Sequence, residues 1–456
     1  MWQRCPRTRS RRDEKLPRQG GKAWGVMLGD MVSTIIPPGV RVTEHVLDVP
    51  WDREKPELGT FELFARELSS LEGDGSAKPP LLFLQGGPGN AAPRVMQGWI
   101  PEALKHYTVY LLDERGTGRS GMIDRTTPEL IRTDIISKLR CPDVVADAEA
   151  LREHLGFEQW DVLGNSFGAL CTASYLSYYP EAIGQAYLTG AVPQIGWTPV
   201  EYNTVSLDLL EKRVQEFYAA VPYAERTVRE VCHHLDNTEE ILPTGERLSS
   251  QRFRFIGVAL GEELGFHNLA VLLEEPFIRR GGEKHLRGDF LGWMSQYVGL
   301  QGNPLWAVLH ETLFGAPGVS TNWAAHRAVE GRAGFALDAD PTDEKEPFYL
   351  LGNHFFQHHF EEDPALRPFR DVVHEMHAKT DWSRVFNEEQ LRANTVPAVV
   401  ALYERDMFIH FDRAVNVAKQ IGGMKVWSHP TWDHDAIYLH GQELFQGVFD
   451  TARRVP

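Results

Sequence analysis

The chain has 456 residues, of which 42% are hydrophobic and 24% charged; these proportions are typical of globular proteins and exclude a mostly disordered chain. Its formal net charge of -16 argues against nucleic acid or an anionic membrane as the main partner, because both require a basic surface. The charge is unevenly distributed. Residues 1–22 hold eight Arg or Lys and two acidic residues, a net of +6, which leaves -22 on the remainder.

The Arg-rich segment at residues 1–35 has no amphipathic pattern, and we predict a disordered basic tail there. A transit segment or a nucleic-acid-binding arm is the alternative interpretation. The segment lacks the apolar core of a secretory signal, and no run in the chain reaches the ~18 apolar residues of a membrane span. The four cysteines are far apart and form no CxxC pair, which favours a reduced, cytoplasmic protein without a metal cluster.

The regular elements begin with two half-exposed strands, at 40–49 and 60–69, in which apolar and polar residues alternate. Four apolar runs then predict strands that are buried on both faces: 81–85, 107–114, 160–166 and 184–191. Helical spacing follows at 142–156, which begins on Pro and Asp and ends on Gly, and again from Phe167 to a stop at Pro180. This alternation predicts the α/β class, with a mostly parallel, doubly wound sheet.

The alternation stops near Pro193, and amphipathic helices without buried strands are predicted from there to about residue 386. It then resumes with a strand, a helix, a strand and a final helix, at 397–403, 411–423, 424–429 and 436–454. The pattern therefore predicts one α/β domain, made of residues 36–192 and 387–456, that is interrupted by a helical insertion at residues 193–386.

The sequence Gly164-Asn165-Ser166-Phe167-Gly168 lies where a buried strand is predicted to turn into a helix. This is a G-x-S-x-G nucleophile elbow in its expected context. The turn is so tight that the residues two positions either side of the serine must lack side chains. The N-terminus of the following helix favours negative charge that develops nearby. We therefore predict that Ser166 is a nucleophile.

A serine nucleophile requires a base and an acid that orients the base, in the chain order Ser, Asp or Glu, His. Asp406 follows the strand at 397–403 and His434 follows the strand at 424–429, at the edge where α/β sheets build their sites. We predict that these two residues complete the triad. Neighbouring residues of the same types compete for the two roles: Glu404, Asp433 and Asp435 for the acid, and His410, His429 and His440 for the base.

Two glycine-rich turns follow the first two buried strands. In Gln85-Gly86-Gly87-Pro88-Gly89 the backbone can approach a substrate closely, so we expect the N–H groups of Gly87 and Phe167 to form an oxyanion hole. The second turn, DERGTGRS at 113–120, lacks the spacing of a phosphate-binding loop, and we interpret it as a structural loop flooring the site. Epoxide hydrolase or dehalogenase chemistry is disfavoured because the elbow carries Ser rather than Asp.

Together these motifs resemble the proline iminopeptidase family of α/β-hydrolases. The matching segments are QGGPG (85–89), DERGTGRS (113–120), GNSFGA (164–169), YERDMF (403–408) and WDHD (432–435). The resemblance continues into the insertion through LPTGERLS (242–249), PLWAVLHETLF (304–314) and FEEDPALRPFRD (360–371). It implies an α/β-hydrolase fold with a helical cap, and a serine peptidase that removes N-terminal proline without a metal or organic cofactor.

The resemblance also implies that acidic cap residues hold the substrate's free N-terminal ammonium. Glu311 matches one such position. At the other, where the family usually has a glutamate, this chain has Asn353, which supplies no charge. Glu361 or Glu362 is the expected compensation. Alternatively, Glu361 and Glu362 are solvated charges at a helix end.

The sequence therefore predicts a cytoplasmic serine aminopeptidase that acts on short peptides with a free N-terminus, through an acyl-enzyme on Ser166. A carboxylesterase or other acyl hydrolase is the alternative on the same fold, since a fold does not determine a substrate. A non-catalytic binding protein that uses the cap as a recognition surface is the third possibility.

Overall fold

The structure is a computed structural model, and it describes residues 33–36, 39–72 and 76–453. The strands of the main sheet are β1 (Ser33–Ile36), β2 (Val40–Pro50), β3 (Thr60–Ser70), β4 (Pro80–Leu84), β5 (Thr108–Leu112), β6 (Trp160–Asn165), β7 (Ile183–Thr189), β10 (Ala398–Tyr403) and β11 (Met424–His429). Two further strands, β8 (Phe277–Arg280) and β9 (Glu283–Leu286), form a separate hairpin.

The main sheet has the order β1-β2-β3-β5-β4-β6-β7-β10-β11. The pairs from β1 to β5 are antiparallel, whereas all pairs from β5 through β4 to β11 are parallel. The predicted α/β class, with a mostly parallel sheet, is confirmed. The parallel strands bring their carboxyl ends to one edge, where β4, β6, β10 and β11 lead into the predicted site motifs.

Helices cover the sheet and make up most of the chain segment that connects β7 to β10. Those outside that segment are α1 (Trp99–Ala103), α2 (Thr133–Ile136), α3 (Cys141–His154), α4 (Phe167–Tyr178), α15 (Phe411–Ala418), α16 (Ala436–Leu439) and α17 (Gly441–Arg453). Those between β7 and β10 are α5 (Pro199–Ala220), α6 (Ala224–Asn237), α7 (Ser250–Arg254), α8 (Gly265–Leu273), α9 (Gly288–Tyr297), α10 (Pro304–His310), α11 (Ala324–Val329), α12 (Gln357–Glu362), α13 (Arg370–Ala378) and α14 (Glu388–Arg392).

The insertion has a hydrophobic core of its own. Leu207, Val231, Phe253 and Phe348 belong to this core, which lies apart from the clusters on the two faces of the main sheet. Other parts of the insertion, including Leu305 on α10 and further residues on α13, pack into the cluster that covers the sheet. The cavity described below lies where these two packing regions meet.

The structure differs from the sequence prediction at both ends of the chain. The predicted tail at residues 1–35 lies largely outside the described residues, but its last part belongs to β1, which pairs with β2 as an antiparallel edge strand. The final helix, predicted as one segment at 436–454, is two helices, α16 and α17. A Cβ at Gly441, where α17 begins, would lie 2.6 Å from the backbone nitrogen of Trp99, so glycine allows the close contact with α1.

No helix within the described residues is both long and apolar enough to span a membrane. In the same part of the chain, His, Cys, Asp and Glu side chains form no group of three or more that could bind a metal ion.

Candidate active site

Ser166 occupies the sharp turn between β6 and α4. Its backbone has φ 52° and ψ -111°, a region that residues other than glycine rarely adopt and that often marks functional sites. A Cβ at Gly164 would overlap the carbonyl oxygen of Gly168, and one at Gly168 would overlap the carbonyl oxygen of Leu84. These contacts give the physical reason for a glycine on each side of the serine.

The structure brings the three predicted triad side chains together. His434 Nε2 lies 3.0 Å from Ser166 Oγ, and His434 Nδ1 lies 2.7 Å from Asp406 Oδ2. The other carboxylate oxygen of Asp406 accepts the N–H groups of Phe408 at 2.8 Å and Ile409 at 3.0 Å. These two bonds fix the carboxylate, so that one of its oxygens is aimed at the imidazole.

Three of the six competing acids and histidines have other partners. Asp433 pairs with Arg213, and His440 pairs with Glu263. The ring of His429 is stacked on a tryptophan, with ring centroids 3.9 Å apart. Among the described residues, His434 is the histidine that bonds to Ser166.

The environment of His434 makes it more basic than a free histidine. Burial lowers the pKa of His434, but the charge and the hydrogen bond of Asp406 outweigh burial and leave that pKa above its ordinary value of 6.5. The edge of the Phe408 ring meets the imidazole at a centroid distance of 5.0 Å. His434 is therefore held in one orientation and stabilised in its protonated form.

The glycine-rich turn after β4 lies beside Ser166. Gly86, Gly87 and Phe167 all line the cavity above the serine. Gly87 has φ 141°, in the region that favours glycine, and a Cβ there would come within 3.0 Å of Asn90 Nδ2. Phe167 is the first residue of α4, where a helix leaves its N–H groups without partners in the helix itself. Both predicted oxyanion-hole residues thus line the cavity above Ser166.

The DERGTGRS segment is a structural support. Asp113 is fully buried and accepts the backbone N–H of Ala92 at 3.0 Å and of Arg119 at 2.8 Å. Arg115 is also buried and holds both carboxylate oxygens of Asp147, at 2.6 and 2.7 Å. With their charged groups engaged in this way, these residues brace the loops beneath the site.

A cavity of about 510 Å³ lies over Ser166, between the sheet edge and the insertion. Aromatic side chains from both parts form much of its wall: Phe167, Tyr202, Tyr297, Trp306, Phe314, Phe408 and Tyr438. Such a wall suits a small organic substrate with apolar groups, and the cavity has room for more than one amino-acid residue.

Two predicted substrate-binding residues lie elsewhere. The carboxylate of Glu311 accepts the N–H groups of Ala324 at 2.7 Å and Ala325 at 2.9 Å, and it lies 3.1 Å from His377. It is buried at the start of α11 and does not line the cavity. Glu361 is exposed on α12 and is likewise absent from the cavity wall. The expectation that these glutamates hold an ammonium in the cavity is therefore corrected: one caps a helix and the other faces solvent.

Asn353 does line the cavity and is 7% exposed. Its Nδ2 lies 3.4 Å from Nε2 of His310, another wall residue. Burial lowers the pKa of His310 to about 4, so this histidine is neutral at physiological pH. Glu362, the other expected compensating acid, is bonded to Ser249. This end of the cavity is polar but uncharged.

Sequence reasoning missed His310, Glu262 and the cavity-facing role of Asp435. His310 was detectable, because Asn303, Trp306 and His310 lie at spacings of three and four residues, which place them on one face of α10. All three line the cavity. Glu262 gave no local signal, because only the packing of its loop against His434 brings it to the site.

Comparison with known proteins gives a consistent assignment. A family model described as the alpha/beta hydrolase fold matches residues 79–229. The proline iminopeptidase of Aeromonas sobria is 33% identical over 417 residues, which cover 89% of this chain and 95% of that protein. A proline iminopeptidase of Aspergillus aculeatus is 27% identical over 427 residues, covering 91% and 94% respectively. The crystal structure of a proline iminopeptidase from Mycobacterium smegmatis is similar over 90% of this chain and 97% of that chain, with 14% identity and a TM-score of 0.43.

Proposed function

This chain belongs to the proline iminopeptidase family of α/β-hydrolases, and we propose that it is a serine aminopeptidase that releases an N-terminal residue, preferentially proline, from short peptides. The observation that carries the proposal is the continuous hydrogen-bonded chain from Ser166 through His434 to Asp406 at the base of a cavity.

In the first half of the reaction, Ser166 Oγ attacks the carbonyl carbon of the first peptide bond. His434 Nε2 accepts the hydroxyl proton and then donates it to the leaving amine. Asp406 holds the tautomer that leaves Nε2 free to accept, and its charge stabilises the imidazolium. The raised pKa of His434 supports this role as a base.

In the second half, water attacks the ester carbonyl of the acyl-enzyme and His434 accepts its proton. The bond from the acyl carbon to Ser166 Oγ then breaks, His434 returns the proton to that oxygen, and the free N-terminal residue leaves. Each attack places negative charge on the carbonyl oxygen. The N–H groups of Gly87 and Phe167 receive that charge, and losing one such donor typically costs ~2.7–4 kcal/mol of the barrier. Their position on the cavity wall beside Ser166 supports this assignment.

The helical insertion, residues 193–386, serves as a cap. Its aromatic residues line the cavity over Ser166. Under this proposal the cap excludes substrates with further residues before the cleaved bond. An exopeptidase requires such a restriction. The substrates are thus short peptides with a free N-terminus. The cytoplasm is the proposed compartment, because Cys141, Cys171 and Cys232 are free, buried thiols.

The test uses proline β-naphthylamide with the wild-type protein and Ser166→Ala. The wild type should release naphthylamine, and Ser166→Ala should lose that activity and also fail to react with a fluorophosphonate probe. Cleavage by Ser166→Ala would contradict the proposal. A wild-type protein that does not react with the probe would instead favour the non-catalytic binding function.

A second candidate, a carboxylesterase, is favoured by one observation. At the buried end of the cavity, His310 is neutral and Asn353 carries no charge. A buried ammonium without a carboxylate partner is unfavourable, so an uncharged acyl group would suit this end.

Comparing proline β-naphthylamide with its N-acetyl derivative separates the two candidates, since an aminopeptidase should reject the blocked substrate. Asn353→Glu sharpens the comparison. Under the aminopeptidase proposal, the added carboxylate should lower KM for the unblocked substrate. If proline specificity and KM stay unchanged, Asn353 does not contact the amine.

A further inference from the structure

Two carboxylates flank His434 on the cavity wall. Asp435 is the next residue in the chain, and Glu262 follows Gly261, whose carbonyl oxygen accepts the backbone N–H of His434 at 3.2 Å. Both Glu262 and Asp435 line the cavity. They are the acidic residues of the cavity wall within the described chain, and neither belongs to the triad.

Their position beside His434 places them on the leaving-group side. A catalytic histidine that protonates the leaving amine must face that amine, so the wall next to it borders the departing segment. This is also the open side of the cavity. Glu262 and Gln296 are exposed there, whereas Tyr202 and Asn353 at the opposite end are buried.

The two carboxylates have no cation of their own among the described ion pairs. The neighbouring Asp433, by contrast, is paired with Arg213. One oxygen of Asp435 accepts the N–H of Glu263 at 3.1 Å. Burial and the negative charge of Asp435 both raise the pKa of Glu262, as expected for two carboxylates that lie near each other.

We propose that Glu262 and Asp435 form an acidic leaving-group subsite that favours peptides whose second residue is lysine or arginine. A cation on the departing segment would lie between the two carboxylates and relieve their mutual repulsion. This inference rests on the proposed function, because it concerns the segment that leaves when the N-terminal residue is released.

The test compares kcat/KM for three dipeptide amides with the same acyl group: prolyl-lysinamide, prolyl-norleucinamide and prolyl-glutamamide. The kcat/KM of the lysine substrate should exceed that of the norleucine substrate by roughly three- to tenfold, the range expected for two partly exposed ion pairs. The glutamate substrate should have the lowest kcat/KM. The preference for lysine should shrink as salt is added, since the subsite is open to solvent.

Glu262→Gln should bring the lysine-to-norleucine ratio down towards one. Glu263→Gln is the matched control, because it removes the same charge at the next residue in the chain. The side chain of Glu263 pairs with His440 and does not line the cavity. The control should keep the wild-type ratio. A wild-type ratio near one, or an unchanged ratio in Glu262→Gln, would overturn the subsite.

Failure of the proposed function is recognisable separately, because none of the three substrates would then be cleaved. In that case competition with a fluorophosphonate for Ser166 tests the subsite without turnover. Lysinamide should protect the serine better than norleucinamide in the wild type, and this difference should shrink in Glu262→Gln. Equal protection by the two amides would overturn the inference.

Discussion

Replacing Asp406 by Asn tests how the acid controls the histidine. In the wild type, one carboxylate oxygen accepts the N–H groups of Phe408 and Ile409, and the other accepts the proton on His434 Nδ1. An asparagine has one oxygen and one NH2 group. If its oxygen keeps the two backbone bonds, its NH2 group faces Nδ1. The imidazole proton must then move to Nε2, where it blocks acceptance of the proton from Ser166.

The size of the effect follows from the alternative orientation. To present its oxygen to His434, the amide must turn its NH2 group towards two backbone N–H donors. Two unsatisfied donors cost about 1–3 kcal/mol each, or about 2–6 kcal/mol in total. The free energy of the state with the productive tautomer rises by that amount. We therefore expect kcat/KM for proline β-naphthylamide to fall by roughly 30-fold to 3 × 10⁴-fold.

Steady-state hydrolysis at constant pH measures the loss, and thermal unfolding checks that the variant stays folded. Glu404→Gln is the matched control, because Glu404 is an exposed acid on the same loop and has no contact with His434 among the described hydrogen bonds. The control should keep wild-type activity. An Asp406→Asn protein within about threefold of the wild type would refute the argument, since the expected loss is at least ten times larger.

Three further outcomes follow from the geometry. The pKa of His434 is raised above 6.5, and the neutral imidazole is the base. We therefore expect kcat/KM to decline as pH falls through this raised pKa. A pH–rate profile whose acid limb lies below pH 6.5 would contradict this. Gly168→Ala would press a Cβ against a backbone carbonyl and should destabilise the fold by about 1–3 kcal/mol or more. Gly288→Ala is the control, because the added Cβ meets open space and should leave Tm nearly unchanged. Equal Tm values for the two variants would refute the packing argument. Glu311→Gln should weaken a helix cap, lower stability by about 1–2 kcal/mol and leave KM for proline β-naphthylamide unchanged. A raised KM at wild-type stability would instead indicate that Glu311 holds the substrate's ammonium.

The sheet and the triad were predictable because they depend on local patterns. Buried parallel strands appear as continuous apolar runs, and each run is followed by the motif that its carboxyl end positions. Ser166 was marked by its two glycines, whose need is explained by the carbonyl groups packed against them. The chain order of nucleophile, acid and base, the loop positions after two buried strands and the family resemblance then favoured Asp406 and His434, whose side chains the structure places within hydrogen-bonding distance.

The cap residues were not predictable in the same way, because a motif match does not determine where a side chain points. Glu311 has the expected residue type at the expected position, yet its carboxylate accepts the first two backbone N–H groups of α11. Glu262 reaches the site only because its loop contacts His434, which is far away in the sequence. Such long-range packing leaves no periodic signal.

The central claim is that Ser166 carries a prolyl acyl-enzyme, and trapping that intermediate tests it most directly. The protein is mixed with excess proline β-naphthylamide, quenched in acid within its first turnovers and digested for mass spectrometry. We predict a mass gain equal to one prolyl residue on the peptide that contains Ser166, lost in Ser166→Ala. Proline release without any gain on that peptide, or with the gain on another residue, would contradict the account.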